Sequence, residues 1–171
     1  EMLRSLVGSE MCIRDSNRTW TLVPRPPGAQ IISSKWVFKA ALRWHPRALQ
    51  SLMGVRGFHQ RPGIDFGETF SPVVKPATIR VVLMLITSKR WPAHQLDVSN
   101  AFLHGNITER VLCQQPTGFE DPQRPTDVFL LSHTLYGLRQ APRAWFTRFA
   151  ELAVSLGFKQ SRSDSSLFVY K

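Results

Sequence analysis

Gln95-Leu-Asp-Val-Ser-Asn-Ala-Phe-Leu-His-Gly105 sets one carboxylate, Asp97, between the apolar residues Leu96 and Val98, and follows it with small, polar and aromatic side chains. The alternation predicts a strand whose polar face meets a cleft. A carboxylate on such a strand costs free energy if it is buried unpaired, so a partner, a metal or solvent is expected beside it. Taken bare, an Asp in a strand is more often ion-paired or close to a loop than metal-binding. Downstream, Leu135-Tyr-Gly-Leu-Arg-Gln-Ala-Pro-Arg-Ala-Trp145 is a second compact signal. Its small residues let backbone approach a ligand closely, and Pro142 suits the first turn of a helix.

The chain of 171 residues is long enough for about one domain, and 43% apolar residues support a core. No apolar run approaches the roughly 20 residues a membrane span needs, so no membrane partner is expected. Cys12 and Cys113 are too few for a disulfide framework and lack metal spacing; an intracellular setting follows. The histidines at 45, 59, 94, 104 and 133 are scattered without ligand spacing. With no Ser-His-Asp order, Gly-rich phosphate loop or Cys cluster, hydrolase, kinase and zinc chemistry are weakly supported. The net charge of +10, from 22 basic and 12 acidic residues, favours polyanions, with nucleic acid the obvious partner. A solvated basic surface is the plainer reading of the same charge.

Trp20–Gly28 is Pro-rich and extended, ending in a turn. Ile31–Ala40 reads as a strand, with Trp36 and Phe38 on one face and Val37 on the other. Gly57-Phe-His-Gln-Arg-Pro-Gly-Ile-Asp-Phe66 is turn-rich and mixes basic and aromatic residues, and two prolines keep Thr69–Pro76 extended. Thr78 is placed to cap a helix whose apolar face is Ile79, Val82, Leu83 and Ile86, ending near Lys89-Arg90. Short strands are expected at Arg110–Gln114, Val128–Leu131 and Leu167–Tyr170. Ala141–Leu156 reads as a helix with Trp145, Phe149, Leu152 and Leu156 as its buried stripe, stopped by Gly157.

These separated motifs, in this order, resemble the reverse transcriptase of copia-type long-terminal-repeat retrotransposons over about 17–40 and 57–171. The resemblance implies an α+β fold, the fingers and palm portion of a right-hand polymerase, with an antiparallel palm sheet packed against helices. It implies RNA-directed DNA polymerisation on a primer-template from deoxynucleoside triphosphates, with two Mg²⁺ ions held by at least two carboxylates. Carried over by motif, Asp97 is the catalytic, metal-binding Asp of the first palm motif, and the backbone at Val98 approaches the same metal. Asn100 lines the sugar pocket or closes a turn. Phe102 is the steric gate against a ribose 2′ hydroxyl, or else a plain core aromatic. Gly137, Arg139 and Gln140 belong to the second motif, facing template and incoming nucleotide. By family the setting is a cytoplasmic virus-like particle or the nucleus.

Three departures qualify the resemblance. Residues 1–16 read as an artefactual or disordered leader, similar to translated adapter sequence. Residues 41–56 have no clean period; shifted by one base, codons compatible with Leu42–Ser51 give Ser-Asp-Gly-Thr-Leu-Glu-Arg-Tyr-Lys, the hairpin of the family, so this segment is expected to be frameshifted and irregular. That change removes the Lys-Ala-Arg which grips the triphosphate in the family. The third palm motif, Tyr-Val-Asp-Asp or similar, does not occur in the 171 residues. The expectation is a polymerase fragment without activity. The alternatives are a non-catalytic basic nucleic-acid-binding fragment and a pseudogene product.

Overall fold

A computed structural model describes residues 18–40 and 49–170; the leader 1–16 and residues 41–48 of the suspected frameshift lie outside them. Among the described residues seven strands form three small antiparallel sheets, accompanied by two helices. The α+β class is as expected.

Trp20–Val23 (β1), Leu112–Gln114 (β4) and Val128–Leu131 (β5) form the largest sheet, in the order β1-β5-β4. Alternation explains its stability: Phe129 and Leu131 turn into the core, and the Trp20 ring stacks on Phe129 with centroids 4.5 Å apart. Ile32 extends the sheet through a bridge to Cys113, donating its N–H to the Leu112 carbonyl at 2.9 Å and accepting from Gln114 at 2.8 Å.

Ser34–Ala40 (β2) pairs with Leu49–Val55 (β3), from Ser34 opposite Val55 to Ala40 opposite Leu49. The expectation of irregular backbone is therefore corrected for 49–55. Ser51, Met53 and Val55 are buried on one face, a period of 2 that the polar Ser51 and the small Gly54 disguise in the sequence. Met53 and Val55 join Ile32, Leu103, Val111, Cys113, Leu135 and Leu138 in the core. Burial raises the Cys113 thiol to about 12, a weak hydrogen bond with Ser34 opposing it, so this sulfur is an apolar filler.

The first helix, Pro76–Lys89 (α1), starts two residues earlier than Thr78. Pro76 fills its first position, where the absent N–H is not missed. The expected cap is corrected: the Thr78 hydroxyl donates to Asp164 Oδ2 at 2.5 Å, which also receives the Lys75 N–H at 3.4 Å. A remote carboxylate thus serves the positive end of the helix. The expected core face is also corrected, because α1 has no buried residue; Ile79 and Leu83 are exposed. Apolar periodicity marks a face able to be covered, and no described element covers it.

Ala141–Ser155 (α2) leads into Phe158–Gln160 (β6), which pairs with Phe168–Tyr170 (β7). Its expected stripe is corrected in part. Trp145 is half-buried, Phe149, Leu152 and Leu156 are exposed, and the buried positions are Ala141 and Ala153. Phe149 still meets the Phe168 ring edge-on at 5.5 Å.

Asp164 lies in the β6–β7 turn, where the Ser166 hydroxyl and N–H also donate to it at 2.6 and 3.0 Å. The Ser166 hydroxyl, then Thr78, hold its carboxyl well below its ordinary value of 3.8. A lowered folded value contributes stability above pH 3.8 that is lost as pH falls below it. We expect Asp164→Asn to melt at a lower temperature than the wild type at pH 7, with the gap closing as pH falls from about 4 towards 2. Equal melting temperatures at pH 7 by circular dichroism would contradict this role.

Candidate active site

Two loops and two turns carry the residues of interest. The first turn follows the irregular stretch 91–98 and forms the 3-10 turn Ala101–His104. The strand expected around Asp97 is corrected: none of the described residues pairs with 95–98, and a strand exists only through a partner. Leu96 is 89% exposed, Val98 is 45% exposed and Asp97 is exposed. Asp97 has no ion pair or hydrogen bond among the described residues, so solvent satisfies it.

Asn100 stands in the left-handed region at φ 54°, ψ 35°, with its carbonyl accepting the Leu103 N–H at 2.8 Å. A short polar side chain tolerates that backbone, and the turn-closing alternative describes its local role. Phe102 is half-buried, packed against the core and edge-on to Tyr136 at 5.3 Å. Its carbonyl accepts the Thr134 hydroxyl and the Gly105 N–H. The aromatic proposed as a gate is thus held at the core margin by its own backbone and by one neighbouring ring.

The second motif is built by close backbone approach. Val55 donates its N–H to the Tyr136 carbonyl at 2.8 Å, which brings β3 against the turn at 136–140. Gly137 has φ +94°, and a Cβ there would lie 2.1 Å from the Val55 oxygen; one on Gly57 would lie 1.9 Å from the Gly137 oxygen. Only glycine fits either position. The exposed Arg139 donates Nε–H to the Gly57 carbonyl at 3.1 Å and lies over the Phe66 ring at 5.4 Å.

Gln140, expected to reach a base or sugar edge, is 4% exposed and occupied within the protein. Its Nε2 donates to the Asp65 carbonyl at 3.0 Å, and its Oε1 accepts from Gln60 Nε2 at 2.9 Å. Gln60 and Asp65 are functional candidates that sequence reasoning missed. Their only signal was the turn-rich composition of 57–66. Arg143, whose charge suits a phosphate, instead pairs with Glu68 at 2.7 Å.

Beside these residues lies a cleft of about 480 Å³, lined among others by Gln140, Arg143, Arg148, Glu68, Glu109 and Glu151. Three carboxylates against two guanidiniums make it a poor cradle for a triphosphate. Neither Asp97 nor Phe102 lines it. The structure therefore sets Gly137, Arg139 and Gln140 in one turn, with Phe102 against the adjacent Tyr136, and leaves Asp97 in an exposed stretch without a tie to them.

A paired Mg²⁺ centre requires several oxygen ligands from at least two fixed carboxylates. Among the described residues no group of three or more His, Cys, Asp or Glu converges. Asp97 alone, exposed and unsupported, does not meet that requirement. The residues present do not fit the metal pair.

A family model described as reverse transcriptase (RNA-dependent DNA polymerase) matches residues 17–171. The chain is 44% identical to the retrovirus-related Pol polyprotein from transposon RE1 of Arabidopsis thaliana, over 99% of its own length and 12% of that protein. It is 43% identical to the corresponding polyprotein from transposon RE2 of the same plant, over 97% of its length and 12% of the relative. It is 38% identical to that from transposon TNT 1-94 of Nicotiana tabacum, over 97% of its length and 13% of the relative. The chain thus spans about an eighth of these polyproteins. No solved structure matches it. Among the described residues no helix is long and apolar enough to cross a membrane.

Proposed function

The chain belongs to the reverse transcriptase (RNA-dependent DNA polymerase) family, and on that footing we propose that it is a fingers and palm portion that binds primer-template without extending it. The observation that carries the reading is Asp97. It stands in the first palm motif of the family, yet among the described residues no group of three or more metal-ligating side chains gathers around it or elsewhere. Asp97 and the Val98 backbone descend from a metal site, and Phe102 from a gate selecting deoxyribonucleotides. Asn100 shapes the turn between them. Gly137 lets the second motif approach its ligand, with Arg139 reaching phosphate and Gln140 supporting that turn from below. By family, the intact enzyme takes Mg²⁺ and deoxynucleoside triphosphates.

Binding in this reading is electrostatic. The charge of +10 and the exposed guanidiniums of Arg56, Arg61 and Arg139 drive counterion release. We expect the affinity for an RNA–DNA hybrid to fall about tenfold or more between 50 and 200 mM salt. Asp97→Asn should bind at least as tightly as the wild type at every salt concentration, since it removes one negative charge and no contact. Fluorescence anisotropy with a labelled hybrid measures both. Salt-independent affinity, or loss of binding in Asp97→Asn, would refute it.

A further inference from the structure

We infer that Gln60 is the positioning residue of the second motif, fixing the Arg139 backbone and so the place of its guanidinium. The inference rests on the nucleic-acid reading above for its functional consequence, and on geometry alone for the positioning. Gln60 follows the 3-10 turn Gly57–His59 and is 4% exposed. Its Oε1 accepts the Arg139 N–H at 2.9 Å, and its Nε2 donates to Gln140 Oε1 at 2.9 Å. One buried amide therefore holds two consecutive residues, 79 and 80 positions away in the chain.

The arrangement is specific to an amide. Arg139 N–H has no main-chain acceptor among the described residues, so Gln60 supplies the only oxygen that the turn gives it. Gln140 Nε2 is turned away to the Asp65 carbonyl, which leaves its Oε1 for the Gln60 donor. Asp65 is itself anchored: its carboxylate accepts the Arg61 N–H at 2.8 Å. The exposed Arg139 side chain projects from a backbone set by this buried network, with its Nε–H on Gly57 and its cation over Phe66. An amide with both a donor and an acceptor satisfied is rigid, whereas a half-satisfied one is costly. Loop 57–66 and turn 137–140 should therefore move as one body, and a phosphate held by Arg139 reports on Gln60.

The test uses the 171-residue chain and two readouts. By NMR hydrogen exchange, the Arg139 amide of the wild type should be protected, and the near-isosteric Gln60→Met should exchange it about three- to tenfold faster. In anisotropy titrations with the labelled hybrid, Gln60→Met should lower the salt slope by about 1, as Arg139→Ala does. The double variant should be no weaker than Arg139→Ala alone, because the two act through one contact. A merely structural role would lower stability while leaving slope and additivity unchanged. Rapid exchange of Arg139 in the wild type overturns the inference even if Gln60→Met does not fold, as do full protection in Gln60→Met and additive losses in the double variant. If the wild type binds no hybrid, the nucleic-acid reading fails, and the exchange data still decide the positioning.

Discussion

Replacing Gly137 with alanine is expected to destabilise the chain by roughly 2–5 kcal/mol, from overpacking at about 1–3 kcal/mol and a left-handed backbone penalty of about 1–2 kcal/mol. The physical cause is backbone on backbone. Gly137 holds φ +94°, and its added Cβ would come 2.1 Å from the Val55 oxygen and 3.2 Å from its carbonyl carbon. No rotamer change relieves such a clash, since the obstacle is the main chain of β3. The neighbouring bond from Val55 N–H to the Tyr136 carbonyl fixes the spacing, so relief means parting β3 from the turn. A domain of this size loses roughly 2–4 °C in melting temperature per kcal/mol, so Gly137→Ala should melt about 10 °C lower. Gly57→Ala strikes the same junction, where its Cβ would sit 1.9 Å from the Gly137 oxygen. The double variant should therefore cost less than the sum of the two. A Gly137→Ala protein melting with the wild type would show that β3 and the second motif are not in contact.

That junction shows what the sequence could and could not disclose. Val128–Leu131 was legible to the residue, because an apolar run bounded by turns is a local signal. The helix Ala141–Ser155 was legible for the same reason, with Pro142 at its start and Gly157 after its end. β3 was hidden, since Ser51 occupies a buried position and the sequence around it looks out of frame. The alternation of Leu96, Asp97 and Val98 gave a strand pattern, but pairing is a tertiary event and none occurs among the described residues. The apolar face of α1 was likewise read correctly as a pattern and wrongly as a buried surface. At the site, the two motifs announced themselves through familiar spacing. Gln60 did not, because no periodicity marks an amide whose partners lie about 80 residues away. Asp164 is hidden for the same reason: it serves the start of α1 from a turn 86 and 89 positions away in the chain.

Nucleotide incorporation by the 171-residue chain is expected to be undetectable, the largest functional effect in this account. In two-metal phosphoryl transfer, fixed carboxylates would hold the metal cations where negative charge develops in the transition state. The chain offers Asp97, exposed in an unpaired stretch, and no converging acidic group among the described residues. Electrostatic stabilisation is usually the largest single term in such catalysis, so its loss is not made good by binding alone. Affinity for the hybrid, which rests on basic charge, should persist. The proposed function therefore predicts binding without catalysis in one polypeptide.

The decisive measurement is primer extension with labelled deoxynucleoside triphosphate and Mg²⁺ on a primed RNA homopolymer, run beside Asp97→Asn under conditions where anisotropy shows both proteins bound. Both proteins are expected to bind the hybrid, and neither to yield labelled product. Product from the wild type above the Asp97→Asn background would contradict it, because a working metal centre would then exist around Asp97.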